Sequence, residues 1–163
     1  MAGNLEIERK FLARQLPEGL PRARSSRIVQ GYFPLDARIL EIRLRRKGSQ
    51  HFTTFKAGKG RKRLEVEIKI TASQFRALWP LTQAAQLAKR RYKIPWAGHT
   101  IDLDAYEGPH RGLVTAEVEF DGQRASRHFK PPRWFGHEIT GQRQFTNETL
   151  ARRHRLPASL KRR

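Results

Sequence analysis

The sequence predicts a mainly β protein with a few helices, folded as one domain. Three observations support this prediction: charged and apolar residues alternate along most of the chain, turn-forming residues separate the alternating stretches, and helical periodicity is confined to two short segments. Many antiparallel strands joined by hairpin-length loops are typical of a barrel or a sandwich. At 163 residues the chain is long enough to bury a core without disulfides.

Eight stretches have the period of two that is expected of strands, and the breaks between them contain turn-forming sequences such as KGSQ and EGPHRG. A first helix is expected from Thr71, because Gln74 three residues on completes a capping box, and Pro80 should kink or restart it. A second helix is expected from near Asn147. The predicted strands lie within residues 5–12, 27–35, 38–48, 51–58, 61–70, 87–96, 99–108 and 113–122.

The composition limits the compartment and the partners. The chain has no cysteine, which excludes disulfides and thiolate metal sites. It also has no apolar leader at its N-terminus and no apolar run of membrane-spanning length, so a cytoplasmic protein without a membrane partner is expected. The formal net charge of +19 should attract polyanions, and nucleic acid, anionic membrane and small phosphate-rich molecules all belong to that class.

The charges themselves follow the strand period. Glu6, Glu8 and Lys10 occupy alternate positions, which in a strand lie on one face. A single half-buried strand normally turns such a face to water. However, Glu-x-Glu recurs in three strands and basic pairs occur in others. Two carboxylates repel by about 4 kcal/mol at ~4 Å and an effective dielectric of ~20. If the charged faces of the strands converge, they would bind a hard divalent cation together with phosphate held by arginine. If the faces diverge, they are ordinary solvent-exposed surface.

The order of short motifs resembles the CYTH domain, or triphosphate tunnel metalloenzyme, family over nearly the whole chain. The characteristic motif of the family is E-x-E-x-K, which corresponds here to Glu6, Glu8 and Lys10 in EIERKF. The group that the chain resembles most is the bacterial inorganic triphosphatases. The later motifs are QGY (30–32), RLR (43–45), TFK (54–56), RLEVE (63–67), KRRY (89–92), IDLDAYEG (101–108), GLVTAEVEF (112–120) and PRWFGHEITG (132–141).

The resemblance implies an eight-stranded antiparallel barrel that forms a tunnel with charged side chains pointing inward. It implies Mg²⁺ or Mn²⁺ as the cofactor and gives catalytic roles to Glu8, Lys10 and Glu119. The residues that it assigns to metal binding are Glu6, Glu8, Glu65, Glu67, Asp104, Glu117 and Glu119. The residues that it assigns to binding the triphosphate are Lys10, Arg43, Arg45, Lys56, Arg63, Lys89 and Arg91.

The implied activity is hydrolysis of a triphosphate, with inorganic tripolyphosphate as the first choice of substrate. A nucleoside or thiamine triphosphatase and a class IV-type adenylate cyclase are the alternatives within the family, and a polyphosphate- or RNA-binding module is the alternative outside it. The resemblance implies one domain over residues 1–163 with a basic tail from about 151, no specific nucleic-acid partner, and a monomer or homodimer. Gln142, Gln144 and Phe145 depart from family-typical residues.

Overall fold

Nine strands form one antiparallel sheet in the computed structural model, which describes residues 7–20, 23–36, 40–57, 64–157 and 160. Neighbouring strands pair in the order β5-β4-β3-β2-β6-β7-β8-β1-β9. The strands are β1 (Ile7–Ala13), β2 (Arg24–Tyr32), β3 (Leu40–Lys47), β4 (Gln50–Ala57), β5 (Leu64–Ile70), β6 (Gln86–Trp96), β7 (His99–Tyr106), β8 (Val114–Phe120) and β9 (Phe135–Glu138).

The helices are short and lie between or after the strands. Thr71 begins the first of them with both hydrogen bonds of a capping box, and the chain continues as a 3-10 helix at Pro80, as predicted. No helix in the described part of the chain is long and apolar enough to cross a membrane. The α-helices are α1 (Ala72–Leu78), α2 (Gln123–His128) and α3 (Asn147–Arg153), and the 3-10 helices are Trp79–Thr82, Gly108–His110 and Arg143–Phe145.

All eight predicted strands and both predicted helices are present, but α2 and β9 were not predicted. β9 has four residues and no alternation, and α2 begins at Gly122 without a side-chain cap, so neither produces a clear pattern in the sequence. The helix α3 extends into the segment that was expected to be a basic tail, and Ala151 there is fully buried. Among the described residues, β5 pairs only with β4 and β9 only with β1, so these two strands end the sheet.

One core lies outside the curved sheet. Phe11, whose neighbour Lys10 points to the opposite face, packs against Phe135 with ring centroids 4.7 Å apart and ring planes tilted by 43°. Residues of β7 and β8 such as Leu103 and Val118 pack in the same cluster. Burial of these side chains stabilises the fold by about 1.5–3 kcal/mol each. The apolar residues therefore cover the outside of the sheet, while the charged residues face its interior, as the resemblance implied.

A second core closes one end of the sheet's interior. Tyr32 and Tyr106 turn into this cluster, where they meet Phe145 and Leu150 from the C-terminal segment. We call the end of the interior that this cluster fills the sealed end. Because α3 covers that end, the interior of the curved sheet has the form of a cup.

Candidate functional site

Strand register gathers the alternating charges on one concave surface, the inner face. Where β6 pairs with β7, Lys89 lies opposite Tyr106, Arg91 opposite Asp104, and Lys93 opposite Asp102. The remaining walls are formed in the same way. Glu8 and Lys10 of β1 lie opposite Glu119 and Glu117 of β8, and Tyr32 and Gln30 of β2 lie opposite Arg43 and Arg45 of β3. The predicted charges therefore converge, and the ordinary-surface interpretation is wrong.

The sealed end contains a buried ion-pair network around Asp104. The Asp104 carboxylate is fully buried and accepts hydrogen bonds from Lys89 Nζ at 2.6 Å and from Arg91 Nη2 at 2.7 Å. Arg91 Nε donates to the other carboxylate oxygen at 2.7 Å, which makes the contact bidentate. Such paired geometry is the strongest that arginine and a carboxylate form. Asp104 thus fixes the positions of two predicted phosphate-binding cations.

Glu117 extends this network across β8 to β1. Its carboxylate lies 2.7 Å from Lys10 Nζ and 3.1 Å from Arg91 Nη2. The Lys10 and Glu117 side chains are only 10% and 16% exposed, so solvent screens the pair weakly. Lys10, the lysine of the E-x-E-x-K motif, therefore points inward.

Burial and ion pairing shift the pKa values of these groups in opposite directions. Burial would raise the pKa of Asp104, but Lys89 and Arg91 outweigh it and hold that pKa well below its usual range. Burial would likewise raise the pKa of Glu117, and Lys10 and Lys89 lower it instead. Both carboxylates are consequently ionised at neutral pH.

The pKa values of the two buried lysines, Lys89 and Lys10, shift in opposite directions. Burial lowers the pKa of Lys89 to about 8, with Arg91 adding to the effect, although Asp104 opposes it. Burial also acts to lower the pKa of Lys10, but Tyr106 and Glu117 together raise it above its ordinary value. Lys10 therefore keeps its charge throughout the neutral range, whereas Lys89 can lose a proton in mildly alkaline solution.

Asn147 also belongs to the site, although no role in binding was predicted for it from the sequence. It lies in the first turn of α3, after the cap residue Thr146. Its Oδ1 accepts hydrogen bonds from Lys89 Nζ at 3.2 Å and from the Tyr106 hydroxyl at 2.7 Å. The signal in the sequence was its place after the last of the family-like motifs, where Asn147 and Leu150 follow PRWFGHEITG.

The opposite wall of the cup, formed by β3, β4 and β5, carries its own ion pairs. Lys56 Nζ lies 2.9 Å from Glu65, and Arg43 lies 3.5 Å from Glu67. Arg45 is 3.7 Å from the same Glu67 carboxylate. Thr54 donates a hydrogen bond of 2.9 Å to Glu67 and so helps to orient it. Glu65 and Glu67 thus lie among the cations of this wall.

The end of the cup opposite α3, which we call the open end, is exposed. Glu8 and Glu119 lie directly opposite each other on β1 and β8, and both are exposed, as are Lys93 and Arg24. Glu6 and Arg63, which complete the predicted metal and phosphate sets, lie outside the described residues. The exposed residues at this end contrast with Lys89 and Asp104, which are almost fully buried.

The donor set at the open end fits a hard divalent cation. Two carboxylates on neighbouring strands supply the oxygen ligands that Mg²⁺ and Mn²⁺ prefer. Within the described ranges no three acidic, histidine or cysteine side chains already form a metal cluster. Glu8 and Glu119 would hold such an ion through their carboxylate oxygens.

Comparisons with known proteins agree with this architecture. The model of the CYTH domain family matches residues 4–140. The chain is 40% identical over 148 residues to the inorganic triphosphatase of Nitrosomonas europaea, covering 90% of this chain and 96% of that protein. It is 31% identical over 154 residues to the inorganic triphosphatase of Acetivibrio thermocellus, covering 90% and 93% of the two chains.

A solved structure described as an inorganic triphosphatase superimposes on the fold with a TM-score of 0.73. The two chains are 36% identical, and the match covers 93% of this chain and 96% of that one. The likeness in sequence and the likeness in structure therefore extend over the strands that form the inner face.

Proposed function

The chain belongs to the CYTH domain family, and on that premise we propose that it hydrolyses inorganic tripolyphosphate to pyrophosphate and phosphate with the help of a divalent metal. The observation that supports this proposal most strongly is the inner face, where lysines and arginines converge on one concave surface beside two exposed carboxylates, Glu8 and Glu119. Such a surface suits a small molecule that is dense in phosphate.

Phosphate binding is assigned to the inner-face cations. Arginine suits this task because its planar fork donates to two phosphate oxygens at once. The carboxylates that pair with these cations hold them in extended positions before the substrate arrives, so less side-chain freedom is lost on binding. The proposed substrate-binding set is Lys10, Arg43, Arg45, Lys56, Arg63, Lys89 and Arg91.

Metal binding is assigned to Glu8 and Glu119, with Glu6 as a third ligand. Either Mg²⁺ or Mn²⁺ would suit these oxygen donors, and when bound the ion would supply charge neutralisation at phosphate oxygens and activation of water. In this proposal the other predicted ligands position cations instead, because each has a lysine or arginine nitrogen within 4 Å. These four residues are Glu65, Glu67, Asp104 and Glu117.

The chemical step requires positioning and charge stabilisation more than covalent help. Phosphoryl transfer proceeds through a loose transition state whose negative charge spreads over the phosphate oxygens. Lys10 is assigned to the leaving phosphate. Because its pKa is raised, Lys10 acts there as a fixed positive charge rather than as a proton donor. The buried, low-dielectric surroundings strengthen that interaction.

Tripolyphosphate is preferred over organic triphosphates because both curated relatives are named inorganic triphosphatases. A nucleoside or thiamine triphosphatase and an adenylate cyclase remain the alternatives within the family. The net charge of +19 favours one candidate outside it, a module that binds RNA or polyphosphate. We further propose a single cytoplasmic domain, a monomer or homodimer, with no membrane partner and no specific nucleic-acid partner.

The test compares phosphate release from tripolyphosphate, ATP and thiamine triphosphate with Mg²⁺ or Mn²⁺, and with EDTA as the control. Rapid release from tripolyphosphate that EDTA abolishes is the expected result. Rapid release from ATP or thiamine triphosphate, with little from tripolyphosphate, would move the substrate to the organic class. No release from any of them, together with RNA binding that weakens steeply with salt, would favour the binding module.

A further inference from the structure

The segment that follows β9 is bonded to the backbone of Lys10, and the function proposed above assigns it no role. Glu138, Ile139, Thr140 and Gly141 close the motif PRWFGHEITG. β9 ends at Glu138, and the Ile139 N–H donates a further hydrogen bond of 2.8 Å to the Lys10 carbonyl. The Lys10 N–H in turn donates to the Thr140 hydroxyl at 3.0 Å. Both backbone groups of Lys10 are therefore held by this segment.

The Thr140 hydroxyl replaces a backbone acceptor of the sheet. In a hydrogen-bonded pair of antiparallel residues each N–H donates to the other carbonyl, so Lys10 would normally donate to the Ile139 carbonyl. That carbonyl instead accepts from the Gln142 N–H at 3.0 Å, because the chain turns away from the sheet here. Gly141 has a φ of +72° in this turn, a conformation that favours glycine. Thr140 thus supplies the acceptor that the turn takes from Lys10.

The other neighbour of Lys10 holds its side chain rather than its backbone. Glu117 of β8 lies directly opposite Lys10. Because the backbone groups of Lys10 point towards β9, this is a pair without backbone hydrogen bonds, in which the side chains approach closely. The Glu117 carboxylate lies 2.7 Å from Lys10 Nζ. The place of the Lys10 ammonium on the inner face therefore depends on Glu117 at one end and on Thr140 at the other.

Glu138 and Arg9 orient the Thr140 hydroxyl. Thr140 Oγ1 donates to Glu138 Oε1 at 2.7 Å, in preference to the Lys10 carbonyl at 3.5 Å, and so keeps its lone pairs for the Lys10 N–H. Arg9 Nε and Nη2 donate to the two Glu138 oxygens at 3.0 and 2.7 Å, a bidentate contact, and Arg9 Nη1 donates to the Ser126 carbonyl at 3.1 Å. The hydrogen bonds from Arg9 lower the pKa of Glu138, although burial opposes them. Glu138 is therefore an ionised acceptor at neutral pH.

We propose that Thr140 is a positioning residue for Lys10: oriented by Glu138 and Arg9, it fixes the backbone of β1 so that the Lys10 ammonium keeps its place against the triphosphate. The proposal rests on the function proposed above, which assigns Lys10 to the leaving phosphate. Arg9 precedes Lys10 on β1 and points to the opposite face, so the network acts from outside the cup without touching the substrate. A displacement of ~1 Å at a reacting group can cost about 100-fold in rate, which makes such indirect support measurable.

The test is a double-mutant cycle between Thr140 and Lys10. Thr140→Val removes the hydroxyl but keeps the size of the side chain, and Thr140→Ser keeps the hydroxyl. Thr53→Val is the matched control, because Thr53 lies opposite Ile68 on the outer face of β4. Thr140→Val is also made in Lys10→Gln. Kinetics with tripolyphosphate and Mg²⁺ give kcat and KM, isothermal titration calorimetry in EDTA gives the Kd of tripolyphosphate, and melting temperatures verify that each variant is folded.

The expected result is a fall in kcat of about tenfold and a rise in Kd of about threefold in Thr140→Val, with Thr140→Ser and Thr53→Val within about twofold of the natural protein. In Lys10→Gln the change Thr140→Val should alter neither value further, because the residue through which it acts is missing. Equal factors in both backgrounds would overturn the positioning role, since a merely structural effect does not depend on Lys10. A loss in Thr140→Ser equal to that in Thr140→Val would overturn it as well.

The Kd values separate this proposal from the proposed function. If the natural protein binds tripolyphosphate without releasing phosphate and the Kd values remain non-additive, the hydrolysis is overturned and the role of Thr140 in placing Lys10 stands. If phosphate release is rapid and Thr140→Val behaves like Thr53→Val, the hydrolysis stands and the positioning role is overturned.

Discussion

Two lysine–aspartate pairs join β6 to β7, and they differ in their surroundings rather than in their length. Lys89 contacts Asp104 at 2.6 Å, and the two side chains are 2% and 0% exposed. Lys93 contacts Asp102 at 2.7 Å, and the two side chains are 44% and 16% exposed. The first pair lies under α3 at the sealed end, and the second lies at the open end. The same pairing of residue types therefore serves as buried structure in one place and as accessible charge in the other.

The largest effect on stability is expected at the buried pair. Asp104→Asn should lower the free energy of unfolding by about 3 kcal/mol or more, because Lys89 and Arg91 would lose the carboxylate that compensates their buried charges. Urea denaturation at pH 7 measures the loss. Asp121→Asn, at an exposed turn, is the control and should change stability by less than about 0.5 kcal/mol. A loss below 1 kcal/mol in Asp104→Asn would mean that the sealed end does not depend on this pair.

Asn147 should have the next largest effect. Asn147→Ala removes the acceptor shared by Lys89 and Tyr106 and leaves both donors without that bond, at a cost of about 2 kcal/mol. Glu148→Ala on the same helix breaks only an exposed pair with Arg152 and should cost about 0.5 kcal/mol. Chemical denaturation compares the two variants. Equal losses would show that the hydrogen bonds of Asn147 contribute little.

Low pH should lower the free energy of unfolding through the buried carboxylates of Asp104 and Glu117. The pKa values of Asp104 and Glu117 are lower in the folded protein than in the unfolded chain, so the unfolded chain takes up more protons as the pH falls. Their contribution to stability is present above pH ~4 and is lost progressively below it. The free energy of unfolding should fall between pH 7 and pH 3, and by about 1 kcal/mol less in Asp104→Asn. An unchanged pH dependence in that variant would contradict this account.

The smallest effect is expected at the open end. Lys93→Gln removes an ion pair whose lysine is largely exposed, so stability should change by less than about 0.5 kcal/mol. Thermal unfolding of Lys93→Gln and Asp104→Asn, measured side by side, compares the two losses of stability. A loss comparable with that of Asp104→Asn would erase the distinction between the two ends.

The inward direction of the charges was implied by the family resemblance and not by the alternation alone, and neither of them predicted the division of the charges into two ends. Alternation places Lys89 and Lys93 on one face of β6 equally well, and no pattern tells them apart. The difference comes from α3, which covers Lys89 through Asn147 but does not reach Lys93. That contact joins residues 58 positions apart, and strand period carries no information about it.

The sequence was equally limited in predicting which acidic residues lie together as metal ligands. The resemblance assigned all seven of these acidic residues to metal binding, yet Glu65 and Glu67 lie among cations on the wall of β3 to β5, while Glu8 faces Glu119. Strand pairing across the sheet decides which carboxylates meet, and sequence order alone does not fix it. The fold was therefore easier to predict than the roles of its charged residues.

The metal dependence of tripolyphosphate hydrolysis in Glu119→Gln tests whether the metal binds at the open end. Phosphate release is followed against Mn²⁺ concentration in the natural protein and in Glu119→Gln, with Glu148→Gln as the control outside the cup. We expect Glu119→Gln to lose about 100-fold or more of the activity, by analogy with the removal of a transition-state stabilising group, and to need a higher Mn²⁺ concentration for half-saturation. Full activity with unchanged metal dependence would contradict the assignment of the metal to the open end.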